Sequence, residues 1–377
     1  MELVVFGWRC IKHPRSGGSE AYIFNILWRI RKYFDRVLYF TSYSKGLRRK
    51  EDIGGIEVYR MGYDYVPVSI SFYARAVLRR VGWTFDRDSV IIENINHVPF
   101  FTPVLFRGVP VVAIIHHIGG VQLYEEASFP VAKVVDFVER RLTPALYREF
   151  PVVTVSESSK EVLRALGYRY VHVIPPGIGV DVVGDPNYAL GHKGEPIIVY
   201  FGRIMRYKRV HDAVAAFSIV KKEFPGARMY IAGRISSPRY FAYLRSYIRR
   251  LGLERSIMVL GEVTEEEKRD LLLRAQVLVL PSLMEGWGIC AVEANACGTP
   301  VVAYDVPGLR DSVRHMETGI LVRPMDVNSL AEAIKLILAD DGLRRRLSEG
   351  AIRWARNFSW DMVAEKFLEV LKGVIER

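Results

Sequence analysis

Two glutamates, Glu285 and Glu293, flank a glycine-rich segment that follows an apolar run ending at Leu280. The pattern predicts a buried strand, a turn and a helix that begins near Gly288. Free backbone N–H groups and the positive helix end then lie at the carboxyl edge of a parallel sheet, where anions bind. Two carboxylates there can also accept hydrogen bonds from sugar hydroxyls. The helix dipole alone would favour a glutamate at this point, but the pair, taken with the basic loop described next, favours a ligand site.

A basic loop follows another apolar run, residues 199–201, and precedes a helix predicted to begin near His211. Arg203 and Lys208 lie in this loop. Charge-assisted hydrogen bonds from such cations to phosphate oxygens contribute about 1.5–3 kcal/mol each. We therefore predict that Arg203 and Lys208 bind a phosphate, whereas Lys221 and Lys222 form a solvated helix face.

Two further candidates lie in the first half of the chain. The apolar run 111–115 ends at His116 and His117. A histidine after a buried strand is more often structural, but the carboxyl end of a strand is also where ligands bind, so both histidines are candidates. The turn at Gly17 and Gly18 follows the first predicted strand. Its glycines either let the backbone approach a ligand closely or only supply a positive φ, and the two explanations are equally good.

Together these segments resemble the retaining family 4 glycosyltransferases of GT-B fold. The matching pieces are Gly202, Arg203 and Lys208; the run 281–302, with its Pro-Ser, Glu-Gly-x-Gly, Glu-Ala and Ala-x-Gly-x-Pro-Val-Val segments; the loop Gly17-Gly18-Ser19-Glu20; Ser156; and the turn at Gly177. The similarity extends over essentially the whole chain, and the segment between the two glutamates is its most specific part.

The resemblance implies a role for each candidate residue. Arg203 and Lys208 would hold the diphosphate of a nucleotide-sugar donor, Glu293 its ribose and Glu285 the transferred sugar. His116 would lie close to the donor sugar. The remaining donor contacts implied by the resemblance come from Gly17, Gly18, Gly286, Trp287, Gly288 and Ile289.

Apolar runs of strand length alternate with helical patterns, which predicts βαβ units and parallel sheets. A Gly-, Pro- and Asp-rich stretch at residues 175–196 separates two series of predicted strands. The first series is 3–6, 36–43, 90–93, 111–115, 152–156 and 171–174, and the second is 197–202, 229–232, 257–260, 277–280, 300–304 and 319–322. We predict two Rossmann-like α/β domains facing each other across a cleft. They are an acceptor-binding domain (1–177) and a nucleotide-sugar-binding domain (178–356), followed by a helix (357–377) that returns to the first domain.

The composition describes a globular protein of 377 residues, half hydrophobic and a quarter charged, with a mean hydropathy of +0.09. Its net charge of +11 is concentrated in two blocks: residues 1–50 carry +8 and residues 201–250 carry +10, which leaves −7 for the rest. Two separate basic blocks indicate two anionic partners. Nucleic acid would need basic residues interleaved with aromatic residues along one groove, so we expect none.

Several other classes of protein are disfavoured. No apolar run approaches the ~18–20 residues of a membrane-spanning helix, and no basic leader precedes the first strand. Cys10, Cys290 and Cys297 are at neither disulfide nor metal spacing, which suggests free thiols in a reducing cytosol. Asp86 and Asp88 precede a strand, at the sheet edge away from ligand sites, and we interpret them as a surface turn. We therefore expect no metal and no cofactor. No Gly-x-Gly-x-x-Gly follows the first strand, which disfavours a nicotinamide dehydrogenase.

The segment 70–83 mixes aromatic and aliphatic residues with three arginines. Such a helix usually covers a sheet while its arginines reach water. The alternative is a peripheral contact with an anionic membrane, at the inner face of the cell membrane, and the cluster of Lys45, Arg48, Arg49 and Lys50 favours this slightly. The scarcity of glutamine, present only at Gln122 and Gln276, is typical of a thermophilic source.

These observations predict a cytoplasmic, metal-independent glycosyltransferase. It would move a hexose-type sugar from a nucleotide-diphosphate donor to a glycan, lipid-linked or small-molecule acceptor, with retention of anomeric configuration as the resemblance implies. No side chain stands out as a covalent nucleophile. Two alternatives remain: a nucleotide-sugar epimerase on the same scaffold, and a non-catalytic protein that binds polyanions.

Overall fold

The chain forms two separate α/β units. The computed structural model describes residues 1–62, 85, 88–120, 123–124, 128–184 and 196–376. Unit 1 comprises Met1–Gly177 with Ser359–Arg377, and unit 2 comprises Ile178–Phe358.

Unit 1 contains an eight-stranded sheet. Its strands are β1 (Glu2–Gly7), β2 (Arg36–Ser42), β3 (Lys50–Asp52), β4 (Glu57–Met61), β5 (Ser89–Ile95), β6 (Val111–Ile115), β7 (Val152–Thr154) and β8 (Val171–Val173). The order across the sheet is β3-β4-β2-β1-β5-β6-β7-β8. Every neighbouring pair is parallel except β3 and β4. The central strands β1, β5 and β6 are almost wholly buried, as expected for parallel strands covered on both faces, and β5 also buries the polar side chains Glu93 and Asn94.

The helices of unit 1 follow its strands along the chain. They are α1 (Gly18–Ile30), α2 (Thr102–Leu105), α3 (Phe129–Phe137), α4 (Thr143–Tyr147) and α5 (Glu157–Ala165), and a π-helical turn, Val138–Leu142, joins α3 to α4. The carboxyl ends of β1, β5 and β6 lead directly into the loops that hold the candidate residues of this unit.

Unit 2 contains a six-stranded parallel sheet. Its strands are β9 (Ile197–Phe201), β10 (Arg228–Ala232), β11 (Ile257–Gly261), β12 (Val277–Leu280), β13 (Val301–Tyr304) and β14 (Gly319–Val322), in the order β11-β10-β9-β12-β13-β14. Its helices are α6 (Val210–Glu223), α7 (Pro238–Arg250), α8 (Glu265–Arg274), α9 (Ile289–Ala296), α10 (Leu309–Ser312), α11 (Val327–Ala339) and α12 (Asp341–Ala355). The neighbours β9 and β12 lie at the centre of the sheet, where the strand order reverses, and ligands bind at such switch points.

The C-terminal helix α13 (Trp360–Ile375) packs on α1 of unit 1. The ring centroids of Tyr22 and Trp360 lie 6.2 Å apart, and Arg29 Nε donates to Asp361 Oδ1 at 2.6 Å. A Cβ atom on Gly177 would approach the backbone N of Trp360 to 2.6 Å, so only glycine allows this contact.

Many helices begin at side-chain caps that the sequence supplies. A side-chain oxygen accepts a hydrogen bond from the backbone N–H three residues on at Ser156, Ser237, Thr264, Asp326, Asp340 and Ser359. Each cap satisfies an N–H group that has no partner within the helix. These contacts determine where the helices start.

All twelve predicted strands are present, which confirms the predicted α/β class with parallel sheets. The sequence analysis missed β3 and β4. The first is a three-residue edge strand of charged residues, Lys-Glu-Asp, and has no apolar pattern. The predicted helix at 70–83, and Asp86 with Arg87, lie outside the described residues. Within the part of the chain that the structure describes, no helix is long and apolar enough to cross a membrane.

Candidate functional site

The basic loop of unit 2 follows β9, as predicted, and Arg203 and Lys208 both contact one aromatic side chain, that of Tyr207. Arg203 Nη2 donates to the Tyr207 hydroxyl at 2.7 Å, and Lys208 Nζ lies 5.3 Å from the centroid of the same ring. Residues Arg206–Lys208 form a single 3₁₀ turn before α6. Tyr207 therefore links the two cations at the carboxyl edge of the sheet.

The loop after β9 is joined to the turn after β12. Leu283 N donates to the Tyr207 carbonyl at 3.0 Å, and Lys208 Nζ donates to Glu285 Oε1 at 2.5 Å. The side chains of Lys208 and Glu285 are only 12% and 16% exposed. Burial by itself lowers the pKa of Lys208, but the Glu285 carboxylate outweighs it, and the pKa lies above its ordinary value. The predicted diphosphate ligand and the predicted sugar ligand are thus in direct contact.

The glycines of the turn are required by close packing. Gly288 has φ 86°, and a Cβ there would lie 2.8 Å from Leu309 Cδ2. Gly308 has φ 83°, and a Cβ there would lie 2.3 Å from the Glu285 carbonyl. The sequence analysis missed Gly308, which supports the backbone of Glu285 from the following βα connection. Both glycines are therefore needed to position the turn before α9.

Helix α9 begins at Ile289, with Gly288 as its N-cap and no side-chain cap among the described residues. The first N–H groups of a helix lack intrahelical partners and carry a partial positive charge. These groups belong to the segment 286–289 that was predicted to bind the donor. The Trp287 side chain itself is buried and packs on Phe358, with ring centroids 5.4 Å apart.

Glu293 lies within α9, almost fully buried, and binds a lysine that the sequence analysis missed. Lys268 Nζ donates to Glu293 Oε1 at 2.9 Å and lies 2.6 Å from Glu265 Oε2. Burial raises the pKa of Glu293 above its ordinary value, while the Lys268 ammonium and the Gly179 N–H act in the opposite direction. Lys268 lies in a run of charged residues at the start of α8, a pattern typical of a solvated helix face. Its contact with Glu293 could therefore not be predicted from the sequence.

In unit 1 a hydrogen-bonded chain connects the Gly17-Gly18 turn to His116. Ser19 Oγ accepts from Asn94 Nδ2 at 3.1 Å, and Asn94 Oδ1 lies 3.2 Å from His116 Nε2. The predicted residues of this unit therefore lie together, beside the carboxyl end of β5. Asn94 is the link, and the sequence analysis did not identify it.

The conformation of Gly17 distinguishes between the two explanations for the turn. Its φ is −155°, an extended value that any residue adopts. Of the described residues, a Cβ there would meet only Glu20, whose Oε2 would lie at 3.8 Å. Neither backbone strain nor crowding by these residues requires glycine here, which favours close approach of a ligand.

His116 is neutral at physiological pH. Burial lowers the pKa of its imidazole to about 3. The ring meets the Tyr22 ring edge-on, with centroids 5.2 Å apart, and Ser159 Oγ donates to the His116 carbonyl at 3.1 Å. His116 can therefore accept or donate one hydrogen bond, but it does not carry a positive charge.

The remaining reactive side chains are the cysteines and the possible metal ligands. All three cysteines are free, and burial raises the pKa of the Cys290 thiol to about 12. No group of three or more His, Cys, Asp and Glu side chains is arranged to hold a metal ion within the described ranges.

Two family models match the chain, one for each unit. The model described as Glycosyltransferase Family 4 matches residues 16–182, and the model described as Glycosyl transferases group 1 matches residues 189–354. Together they span nearly the whole sequence.

Two curated relatives are similar over 60% and 70% of the chain. A D-inositol 3-phosphate glycosyltransferase of Xylanimonas cellulosilytica is 31% identical over 241 residues, which is 60% of this chain and 57% of the relative. A glycogen synthase of Mycobacterium tuberculosis is 30% identical over 268 residues, 70% of this chain and 63% of the relative. The matched regions thus span about three fifths of these relatives.

Solved structures share the fold over the full length. Sucrose-phosphate synthase from Thermosynechococcus elongatus superposes with a TM-score of 0.80 at 22% identity, covering 100% of this chain and 99% of that one. HepE of Anabaena, described in complex with UDP-glucose, gives a TM-score of 0.77 at 20% identity and covers 99% of this chain and 100% of that one.

Proposed function

Because the chain belongs to the glycosyltransferases of group 1 and family 4 and has their GT-B fold, we propose that it transfers a sugar from a nucleoside-diphosphate donor to the hydroxyl group of an acceptor. Unit 2 binds the donor. The two-unit match supports this proposal over a lone nucleotide-binding module.

The contact between Lys208 and Glu285 carries the proposal. It brings a cation suited to phosphate and a carboxylate suited to sugar hydroxyls within 2.5 Å, at the carboxyl edge of a parallel sheet. A nucleotide sugar has these two chemical groups side by side. Arg203, which shares the Tyr207 ring, adds a second cation for the diphosphate. Glu293 lies in α9, the helix that follows the turn, and accepts hydrogen bonds from the ribose.

The reaction breaks the bond between the anomeric carbon and the diphosphate oxygen. Negative charge develops on that oxygen, and Arg203, Lys208 and the first N–H groups of α9 stabilise it. The acceptor oxygen forms the new bond to the anomeric carbon, and its proton passes to the departing phosphate. This course retains the anomeric configuration without a covalent nucleophile. It also needs no metal, because side-chain cations neutralise the diphosphate.

The donor is a hexose-type nucleotide sugar. UDP and UDP-glucose are the first ligands to test, because HepE is described in complex with them. In unit 1, His116 and the Gly17-Gly18 turn contribute to binding the transferred sugar and the acceptor. The acceptor is a glycan, a lipid-linked sugar or a small molecule.

Ligand-induced stabilisation tests the proposal directly. We expect UDP, GDP or ADP, with the matching nucleotide sugars, to raise the melting temperature, since ligand at 100 times its Kd adds about 2.7 kcal/mol of stability. Lys208→Met should abolish the shift. Lys335→Met is the control, because Lys335 pairs with two glutamates on the far helices α6 and α11.

A transfer assay with the stabilising nucleotide sugar completes the test. Release of an altered free sugar without any acceptor product would indicate an epimerase. Equal stabilisation by inorganic polyphosphate and by nucleotides, both independent of Lys208, would indicate a polyanion-binding protein.

A further inference from the structure

A small polar pocket lies in unit 1, at the carboxyl ends of the adjacent strands β5 and β6. Its polar lining residues are His97, His117, Glu139, Thr143 and Tyr168, and the side chains of three isoleucines close the rest. It is partly open and has room for about one water-sized group. The pocket is thus at the edge of the sheet where ligands of α/β proteins bind.

Glu139 is a buried carboxylate, and each of its oxygens has one hydrogen-bond partner among the described residues. Its residue is 3% exposed. His97 Nδ1 lies 2.8 Å from Glu139 Oε1, and Gly119 N donates to Oε2 at 3.0 Å. A carboxylate offers about four acceptor positions, so each oxygen can accept one more donor. Glu139 lies in the π-helical turn Val138–Leu142, and such turns are frequent at functional sites.

Tyr168 also lines this pocket and carries a second buried polar group. The residue is 2% exposed, and its hydroxyl has no hydrogen-bond partner among the described residues. An unsatisfied buried hydroxyl is unfavourable. Burial, with a contribution from Glu139, raises the pKa of Tyr168, which keeps the hydroxyl protonated and able to donate.

His97 is held in an uncommon conformation for this contact. Its φ is 70°, a left-handed value that is unfavourable for residues other than glycine. Such strain persists where the surrounding contacts enforce it, and it concentrates at functional sites. The bond to Glu139 and the edge-on approach of the His117 ring, with centroids 6.4 Å apart, are contacts of this kind.

We propose that this pocket binds one neutral hydroxyl group of the sugar acceptor, which donates to the Glu139 carboxylate and accepts from the Tyr168 hydroxyl. The assignment to the acceptor rests on the proposed function; the preference for a neutral hydroxyl rests on the pocket alone.

The polar groups of the pocket favour a neutral hydroxyl over a charged group. The buried carboxylate repels a phosphate or carboxylate group. A cationic group is disfavoured because the Tyr168 hydroxyl would still lack an acceptor to donate to. A hydroxyl both donates and accepts, so it satisfies both groups at once.

Ligand-observed NMR titration of the full chain with glycerol and with methyl glucoside tests the pocket without requiring catalysis. Loss of one neutral hydrogen bond weakens binding about two- to tenfold. We therefore expect Tyr168→Phe to weaken both polyols by such a factor. Glycerol 3-phosphate should bind this pocket more weakly than glycerol. Tyr170→Phe, at an exposed tyrosine close by in the chain, should change neither affinity.

Two further measurements separate this role from a structural one. The melting temperature of Tyr168→Phe should equal or exceed that of the wild type, because the deleted hydroxyl has no hydrogen-bond partner in the described part of the chain. Its UDP affinity should be unchanged, because the nucleotide binds unit 2. Failure of the wild type to bind any nucleotide would count against the proposed function alone. Two results would overturn the proposed hydroxyl site. One is equal polyol affinity of the wild type and Tyr168→Phe, and the other is binding of glycerol 3-phosphate that is tighter than that of glycerol and depends on Tyr168.

Discussion

Lys268 Nζ lies 2.9 Å from Glu293 Oε1, across the 25 residues that separate them in the chain. The pair has a counterpart in the same unit, where Lys208 binds Glu285. Each glutamate of the turn–helix segment therefore has its own lysine. The two pairs differ in location: Glu285 lies in the turn before α9, whereas Glu293 is buried within that helix.

Lys268→Met is expected to make nucleotide binding sensitive to pH. Burial raises the pKa of Glu293, and Lys268 opposes that effect, so its removal raises the pKa further. Glu293 then takes up a proton at a higher pH and loses its charge as a hydrogen-bond acceptor. Protonation of Glu293 should weaken UDP binding about tenfold. In the variant this fall in affinity should begin at a higher pH than in the wild type.

Calorimetric titration with UDP between pH 5 and pH 8 measures this shift. Lys335→Met is the matched control, since Lys335 is 14% exposed and also pairs with two glutamates. If UDP affinity falls at the same pH in Lys268→Met and in the wild type, Lys268 does not control the pKa of Glu293.

Substitution of the two glutamates should separate nucleotide binding from sugar transfer. Glu293→Ala is expected to weaken UDP and the full donor by similar factors, about ten- to a hundredfold. Glu285→Ala should leave UDP affinity intact or stronger, because it frees the Lys208 ammonium for the diphosphate. Its turnover should collapse, since contacts that tighten in the transition state act on kcat. Calorimetry and transfer rates give the comparison, and equal loss of UDP affinity in both variants would contradict it.

His116 is expected to make the protein sensitive to acid. Its pKa is about 3 in the folded protein, against an ordinary value near 6.5, so below pH 6.5 the unfolded chain takes up a proton that the folded chain does not. The stability it contributes is present above pH 6.5 and is lost as the pH falls towards 3, by up to about 1.4 kcal/mol per pH unit. His116→Asn should reduce the fall in urea midpoint between pH 7 and pH 4. The exposed His315 provides the control, and an unchanged acid dependence in His116→Asn would refute the low pKa.

Turnover is expected to survive an excess of chelator. The proposed diphosphate ligands are Arg203, Lys208 and backbone N–H groups, which require no divalent ion. Transfer rates with EDTA should match those without it. Complete loss of activity that Mn²⁺ or Mg²⁺ restores would overturn this assignment of the donor site.

If the basic block 1–50 binds membranes, binding should depend on the negative charge of the lipids. Parts of that block already have partners: Arg49 lies over the Tyr43 ring at 4.0 Å, and Lys50 pairs with Glu57 at 3.5 Å. Co-sedimentation with vesicles should rise with anionic lipid and fall with salt, because exposed charges are screened. Equal binding to neutral vesicles, or none at low salt, would favour an acceptor free in solution.

The strand–turn–helix segments around Arg203, Lys208 and Glu285 were predictable because their signals are local. An apolar run, a glycine and a charged residue stand within a few positions of one another, and parallel-sheet topology brings such loops to one edge. The helix starts near Gly288 and His211 followed from the same local patterns and are confirmed at Ile289 and Val210.

The partners of these residues were not predictable, because they depend on tertiary packing. Lys268 reaches Glu293 only through the approach of α8 to α9. The hydroxyl pocket needs a left-handed His97, a π-helical turn at Glu139 and a tyrosine from the loop before β8. Strand β3 escaped notice for another reason: an edge strand of charged residues carries no hydrophobic alternation.

The helix Trp360–Ile375 covers α1, although the whole of Ile178–Phe358 separates it from the rest of unit 1 along the chain. During synthesis a chain emerges from its N-terminus, and domains generally fold as units. Unit 2 therefore has its complete sequence outside the ribosome while unit 1 still lacks a helix. The unit that comes second in the sequence is the first that can finish folding, and until then the nascent chain exposes the apolar face of α1.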